Sequence, residues 1–132
     1  MSDAVFAMPR LQPVAKVLVV DDEPEIRKVH SRFLSNMGMD VLTAENGVLA
    51  LELARQTVPA AVVTDVDMPV MDGLTLCRCL RAEVATRHVV LVVVTGAGLA
   101  QDALACGCDA FLLKPCSGAL LAETIQTLLG RR

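Results

Sequence analysis

Apolar residues along this chain alternate between two arrangements. Short continuous runs (Lys16 to Val20, Ala61 to Thr64, Val89 to Val94 and Ala110 to Leu113) are rich in Val and Leu and end at polar or charged positions. Runs of this length, apolar throughout, are the signature of parallel strands covered on both faces. A weaker segment, Asp40 to Ala44, alternates only in part and reads as an edge strand. Between these runs the apolar spacing becomes helical. Ile26, Val29, His30, Phe33, Leu34 and Met37 make one i, i+3, i+4, i+7 stripe, opened by Pro24 among acids and closed by Gly38. Asn46 to Gln56 predicts a second helix, ended by Pro59, and Asp72 is a fitting N-cap for a third that reaches about Glu83. A short helix covers about Leu99 to Cys106, with Gly107 as its stop. Leu120, Leu121, Ile125 and Leu128 mark the closing helix.

Strands and helices therefore alternate five times, and right-handed crossovers are close to obligatory for such a series. The expected fold is α/β: a doubly wound, five-stranded parallel sheet with helices on both faces. Residues 1–14 hold Pro9 and Pro13, show no periodicity and read as a flexible leader; residues 15–130 form the one domain that 132 residues allow.

Composition narrows the function more than the fold. With 54% hydrophobic residues, no Trp, no Tyr and three Phe, the core must be aliphatic. A formal charge of −3 and an isoelectric point near 5.3 give no general attraction to nucleic acid or to an anionic membrane. No apolar run approaches the roughly 18 residues of a membrane span, and no secretory signal opens the chain, so a cytoplasmic setting is expected. Five cysteines is an odd count for a disulfide framework. Cys77-x-Cys79 and Cys106-x-Cys108 lack zinc-like spacing, and small buried hydrophobes are the better reading. His30 falls on the apolar helix face and reads as a packed or rim residue; His88 reads as exposed.

The chemistry stands at the strand exits. Asp21 and Asp22 follow the first strand, Asp65 the third, Thr95 the fourth and Lys114 the fifth, with no polar group expected inside these strands. In a parallel sheet all five meet at one edge, where open α/β folds bind ligands. Three carboxylates cannot sit together ionised without a strong positive charge. Oxygen donors in an open, hydrated site suit Mg²⁺ or Mn²⁺. Lys114 adds a point charge, Thr95 a hydroxyl, and an aspartate can act as nucleophile through an acyl phosphate. The set points to phosphoryl transfer onto Asp65, with cation and lysine stabilising the charge of the transferring group.

The blocks VLVVDDEP, DVDMPVMDG, VVVTG and DAFLLKP, in this order and spacing, are similar to the motifs of the response-regulator receiver domain of two-component signalling. The resemblance spans about residues 15–130. It implies a flavodoxin-like strand order 2-1-3-4-5 and Asp65 as acceptor of a phosphoryl group from a sensor histidine kinase or phosphotransfer protein. It further implies Mg²⁺ held by Asp22, Asp65 and the main-chain carbonyl of Asp67, with Asp21 acting through water. Thr95 and Phe111 would form a switch pair that reshapes a face for a downstream protein target. A receiver of this kind is a stand-alone switch, not an enzyme beyond its own phosphorylation and dephosphorylation. Four departures stand out: Phe111 in place of the commoner Tyr, Gly96 in place of Ala, an added carboxylate at Asp67, and a Thr95–Lys114 interval short enough to cost the fourth helix nearly a turn.

Two other functions compete. A receiver-like scaffold would bind partners without being phosphorylated. A phosphatase resembling the haloacid-dehalogenase group would use Asp65-Val66-Asp67 as its DxD motif, with Thr95 and Lys114-Pro115 as later motifs. That motif normally follows the first strand, and the only acid after Lys114 is Glu123, inside a helix.

Overall fold

A computed structural model describes residues 14–131. The chain folds as β1 (Lys16–Val20), α1 (Pro24–Asn36), β2 (Asp40–Ala44), α2 (Gly47–Thr57), β3 (Ala61–Asp65), α3 (Gly73–Ala82), β4 (Val90–Thr95), a 3₁₀ turn (Ala97–Leu99), α4 (Ala100–Ala105), β5 (Ala110–Leu113) and α5 (Gly118–Gly130). All neighbouring strands are parallel and the sheet order is β2-β1-β3-β4-β5, as the resemblance implies. Except for Val14, the expected leader lies outside the described residues.

The central strands β1, β3 and β4 are largely apolar because each feeds two cores. Successive side chains point to opposite faces of a strand. Leu18 and Val20 of β1, Val62 of β3, and Leu91 and Val93 of β4 pack with Ala50, Leu51 and Ala54 of α2 and with Leu76, Cys77 and Leu80 of α3. Val17 and Val19, Val63, and Val92 and Val94 turn to the other face, against Leu34 of α1 and Leu121 and Ile125 of α5. A fully buried Leu such as Leu34, Leu80 or Leu121 contributes about 1.5–3 kcal/mol, which lets aliphatic side chains hold the domain without aromatic ones.

Local signals place the helix ends. Asn46, Asp72 and Ser117 each accept an N–H of the first turn of α2, α3 and α5 (from Leu49, Thr75 and Leu120). Gly38 and Gly107 follow α1 and α4 in the left-handed region, with φ of 91° and 92°. Three expectations need correction. The stripe on α1 is wider than its buried face: His30 and Leu34 are buried, whereas Val29, Phe33 and Met37 are exposed. Helix α2 closes before Pro59 through Val58, a β-branched residue in the left-handed region, whose N–H bonds the Ala54 carbonyl. A polar group does lie inside a strand: Thr64 of β3 is buried, and its hydroxyl donates to the Asp65 carbonyl at 2.8 Å.

Candidate functional site

The parallel register delivers the expected residues to one sheet edge. Val20 pairs with Thr64, Asp65 with Val94, and Thr95 with Leu113, so the residues that follow emerge side by side. The N–H of Lys114 continues the ladder one step by donating to the Thr95 carbonyl at 2.9 Å.

Asp65 is the buried centre, 5% exposed. Its Oδ1 accepts the Val66 N–H at 2.7 Å and the ammonium of Lys114 at 2.9 Å. Carboxylate oxygens of Asp21, Asp22 and Asp65 lie within 4.8 Å of one another. Asp21 is buried and Asp22 exposed, so the cluster opens on one side. Asp21 is fixed twice: its Oδ1 accepts the Glu23 N–H at 2.9 Å, and its carbonyl accepts from the Arg27 guanidinium at 2.6 Å. Thr95 is buried, and its hydroxyl makes only a long 3.4 Å contact with the Gly96 carbonyl, which leaves it poorly committed. Phe111 on β5 is half-buried against the core shared with α3. Asp67 is exposed and its carboxylate is not one of the three that converge.

The electrostatics carry an unresolved tension. Burial, above all, pushes the Asp21 carboxyl above the usual carboxylate range; the nearby charges of Asp65 and Asp22 add to this, against the Glu23 N–H and Lys114. Burial opposes the charge on Lys114, but the hydrogen bond and charge of Asp65, with help from Asp21, outweigh it and raise its pKa. One ammonium thus faces three carboxylates. Hard oxygen donors, one side open to water and excess negative charge fit a small divalent cation.

Several residues that build the site escaped the sequence reading. Gly73 opens α3 directly under Asp65, and a Cβ there would stand 1.9 Å from the Asp65 carbonyl oxygen. The DMPVMDG block carries a visible glycine, but only the packed structure shows what it abuts. Arg27 and Thr64 give no local signal. Beside Lys114, a groove of about 640 Å³ lies between α1 and the loop after β5, lined by Ile26, Val29, His30 and Pro115 among others. His30 is packed, its Nε2 3.3 Å from the Cys116 carbonyl, and His88 is exposed, as expected.

Comparison with known proteins agrees with this geometry. The response regulator receiver domain matches residues 17–126. A probable transcriptional regulator, ycf27, from Porphyra purpurea is 39% identical over 119 residues, 88% of this chain and 48% of that protein. The response regulator PleD of Caulobacter vibrioides is 36% identical over 86% of this chain and 26% of its own length. The chain thus spans about half or less of the length of these curated relatives. Among solved structures, the chemotaxis response regulator CheY4 of Vibrio cholerae superposes with a TM-score of 0.82 at 31% identity, covering 88% of this chain and 99% of that one. The receiver domain of a signal transduction histidine kinase from Syntrophus aciditrophicus gives 0.84 at 30% identity, covering 89% and 92%. No helix among the described residues is long and apolar enough to cross a membrane. By its motifs, its strand order and these matches, the chain belongs to the response regulator receiver domain family.

Proposed function

We propose that residues 15–130 act as a phosphorylation switch in which Asp65 accepts a phosphoryl group. The observation that carries this reading is the 2.9 Å contact from Lys114 Nζ to Asp65 Oδ1 at the lip of the three-carboxylate cluster. Both donors to Asp65 fall on Oδ1, so Oδ2 is the oxygen available for attack on phosphorus. The side chains of Asp22 and Asp65 and the main-chain carbonyl of Asp67 would hold Mg²⁺, with Asp21 acting through water. When bound, the cation neutralises charge on the transferring group. Lys114 releases Asp65 to the incoming phosphoryl group and pairs with one of its oxygens. Thr95, with its weakly committed hydroxyl, turns to donate to another. Phe111 then moves into the space Thr95 leaves and alters the surface around α4, β5 and α5.

The donor would be a sensor histidine kinase or phosphotransfer protein, the target a downstream protein, and the setting cytoplasmic. Turnover is limited to the chain's own phosphorylation and dephosphorylation. The phosphatase reading loses support because the carboxylate of Asp67 stands outside the acidic cluster.

Incubation with Mg²⁺ and acetyl phosphate, read by intact mass, tests the proposal. One phosphoryl adduct on the wild type and none on Asp65→Asn is expected. Absence of the adduct, with cation binding confirmed and quenching fast enough to trap it, would leave the unphosphorylated scaffold as the function.

A further inference from the structure

Helix α1 reaches both loops of the candidate site. Arg27 and His30 stand three residues apart on it, a spacing that makes them neighbours on the helix surface. Arg27 donates to the main-chain carbonyl of Asp21 at 2.6 Å and so holds the loop that carries Asp21 and Asp22. His30 reaches the opposite loop. Its Nε2 lies 3.3 Å from the carbonyl of Cys116, 86 residues on in sequence and two beyond Lys114. Lys114 in turn brings its ammonium to Asp65 Oδ1 at 2.9 Å. His30 is only 7% exposed, on a face that also buries Leu34. A ring nitrogen in such a place costs free energy unless it is bonded, and an aliphatic side chain would fill the space without that cost. What the histidine adds is the bond. A carbonyl oxygen only accepts, so the proton of this bond is on Nε2.

We infer that His30 is a positioning residue for Lys114: it pins the Cys116 carbonyl and thereby sets how the Lys114 ammonium reaches Asp65. The segment from Lys114 to Ser117 is short and is held at both ends. At its start the Lys114 N–H donates to the Thr95 carbonyl at 2.9 Å. At its end Ser117 Oγ accepts the Leu120 N–H at 3.1 Å and caps α5. Between these, Pro115 has no N–H to give, and the bond from His30 ties the middle of the segment to α1. With Arg27 fixing the acidic loop to the same helix, α1 is a common frame for the carboxylates and the ammonium. A donor on a helix holds a loop more closely than a donor on another loop would. Loss of the His30 bond leaves Lys114 its charge but loosens the backbone that aims it.

The positioning role rests on the phosphoryl-switch reading, in which Lys114 leaves Asp65 to pair with an oxygen of the incoming group. Stabilisation of this kind works through groups already aimed at the charge that develops, so an error in where the ammonium stands is paid in rate. The contact itself does not depend on phosphorylation and is tested first, on the unmodified protein. His30 and His88 are its two histidines, so the ring nitrogens of each can be assigned in a long-range ¹H–¹⁵N spectrum. Nε2 of His30 should carry a proton. An Nε2 without one cannot donate to Cys116, and that result would overturn the inference.

The role is tested by the rate of phosphoryl uptake from acetyl phosphate with Mg²⁺, read by intact mass, with folding checked by far-ultraviolet circular dichroism. His30→Leu fills the site without a donor and should slow uptake about tenfold, within the roughly 100-fold that a 1 Å misplacement can cost. His30→Gln, whose amide nitrogen can take the place of Nε2, should recover most of the rate. In a Lys114→Met background His30→Leu should make no further difference, because a residue acting through the lysine has nothing left to position. A merely structural role would lower the rate in both backgrounds, and glutamine would not restore it. Should Lys114→Met take up too little to measure, the glutamine rescue decides; should His30→Leu fail to fold, the ring spectrum decides. Equal rates in wild type and His30→Leu, or a loss that glutamine does not restore, would overturn the positioning role and leave the switch standing. A wild type that takes up no phosphoryl group would instead overturn the switch reading, and the positioning role with it, whatever the ring spectrum shows.

Discussion

The α-carbon of Gly73 lies directly against the Asp65 carbonyl, so closely that a Cβ would stand 1.9 Å from that oxygen and 3.1 Å from Thr64 Oγ1. Backbone cannot yield as a flexible side chain does, so Gly73→Ala must push α3 away from the end of β3. The expected result is a loss of about 1–3 kcal/mol of stability in urea denaturation, typical of an overpacked site. It should come with slower phosphoryl uptake at Asp65. Gly130→Ala is the control: a Cβ there meets nothing within 4 Å, and stability should be unchanged or slightly raised.

Asp21 makes stability depend on pH without any cation. Its pKa is raised, first by burial and then by its acidic neighbours, so the folded protein holds a proton that the unfolded chain releases near pH 3.9. Stability from this group is therefore present below that pH and is lost as pH rises through the raised folded value. Denaturation midpoints measured without divalent cation should show this fall, and Asp21→Asn should flatten it. Asp21→Asn should also be the more stable protein at neutral pH, yet bind Mg²⁺ more weakly.

Val70 occupies the loop between β3 and α3 at φ 72°, 81% exposed. A β-branched residue in the left-handed region is strained, and exposure means little packing is gained in return. Val70→Asn should raise stability by about 0.5–1 kcal/mol. If the loop is held in this shape by its neighbours alone, the gain should appear in the unfolding rate or equilibrium with no change in phosphoryl uptake.

Arg81 fastens the far end of the sheet. Its guanidinium donates to the carbonyls of Gly107, Arg87 and Val89 at 2.9, 2.8 and 2.6 Å and to Asp109 at 2.9 Å. Asp109 in turn accepts the Leu91 N–H at 2.8 Å. Arg81→Ala leaves several carbonyls and a carboxylate without this donor, and a loss of about 2–4 kcal/mol is expected in chemical denaturation. Arg81→Lys should recover little, because an ammonium cannot reproduce the planar fork that reaches four acceptors.

Sequence alone determined the order of elements, the parallel sheet and the five chemical residues at its edge. The reason is periodicity. Strands buried on both faces must be apolar throughout, helices must show a stripe, and a polar residue at the end of an apolar run has one place to go. Asp21, Asp22, Asp65, Thr95 and Lys114 were legible because parallel strands deliver their C-terminal ends to a common edge. Tertiary structure decided what periodicity cannot express. How much of the α1 stripe is covered depends on α5, whose Gly118 packs against Phe33 yet leaves Val29 and Met37 in water. The burial of Thr64, the reach of Arg27 and Arg81 to distant carbonyls, and the contact of Gly73 with Asp65 all arise between segments whose separation in sequence says nothing of their distance. The cysteines show the same limit: two pairs spaced two apart suggested nothing, and the fold sets both thiols of the second pair, Cys106 and Cys108, on one acceptor, the Ala103 carbonyl.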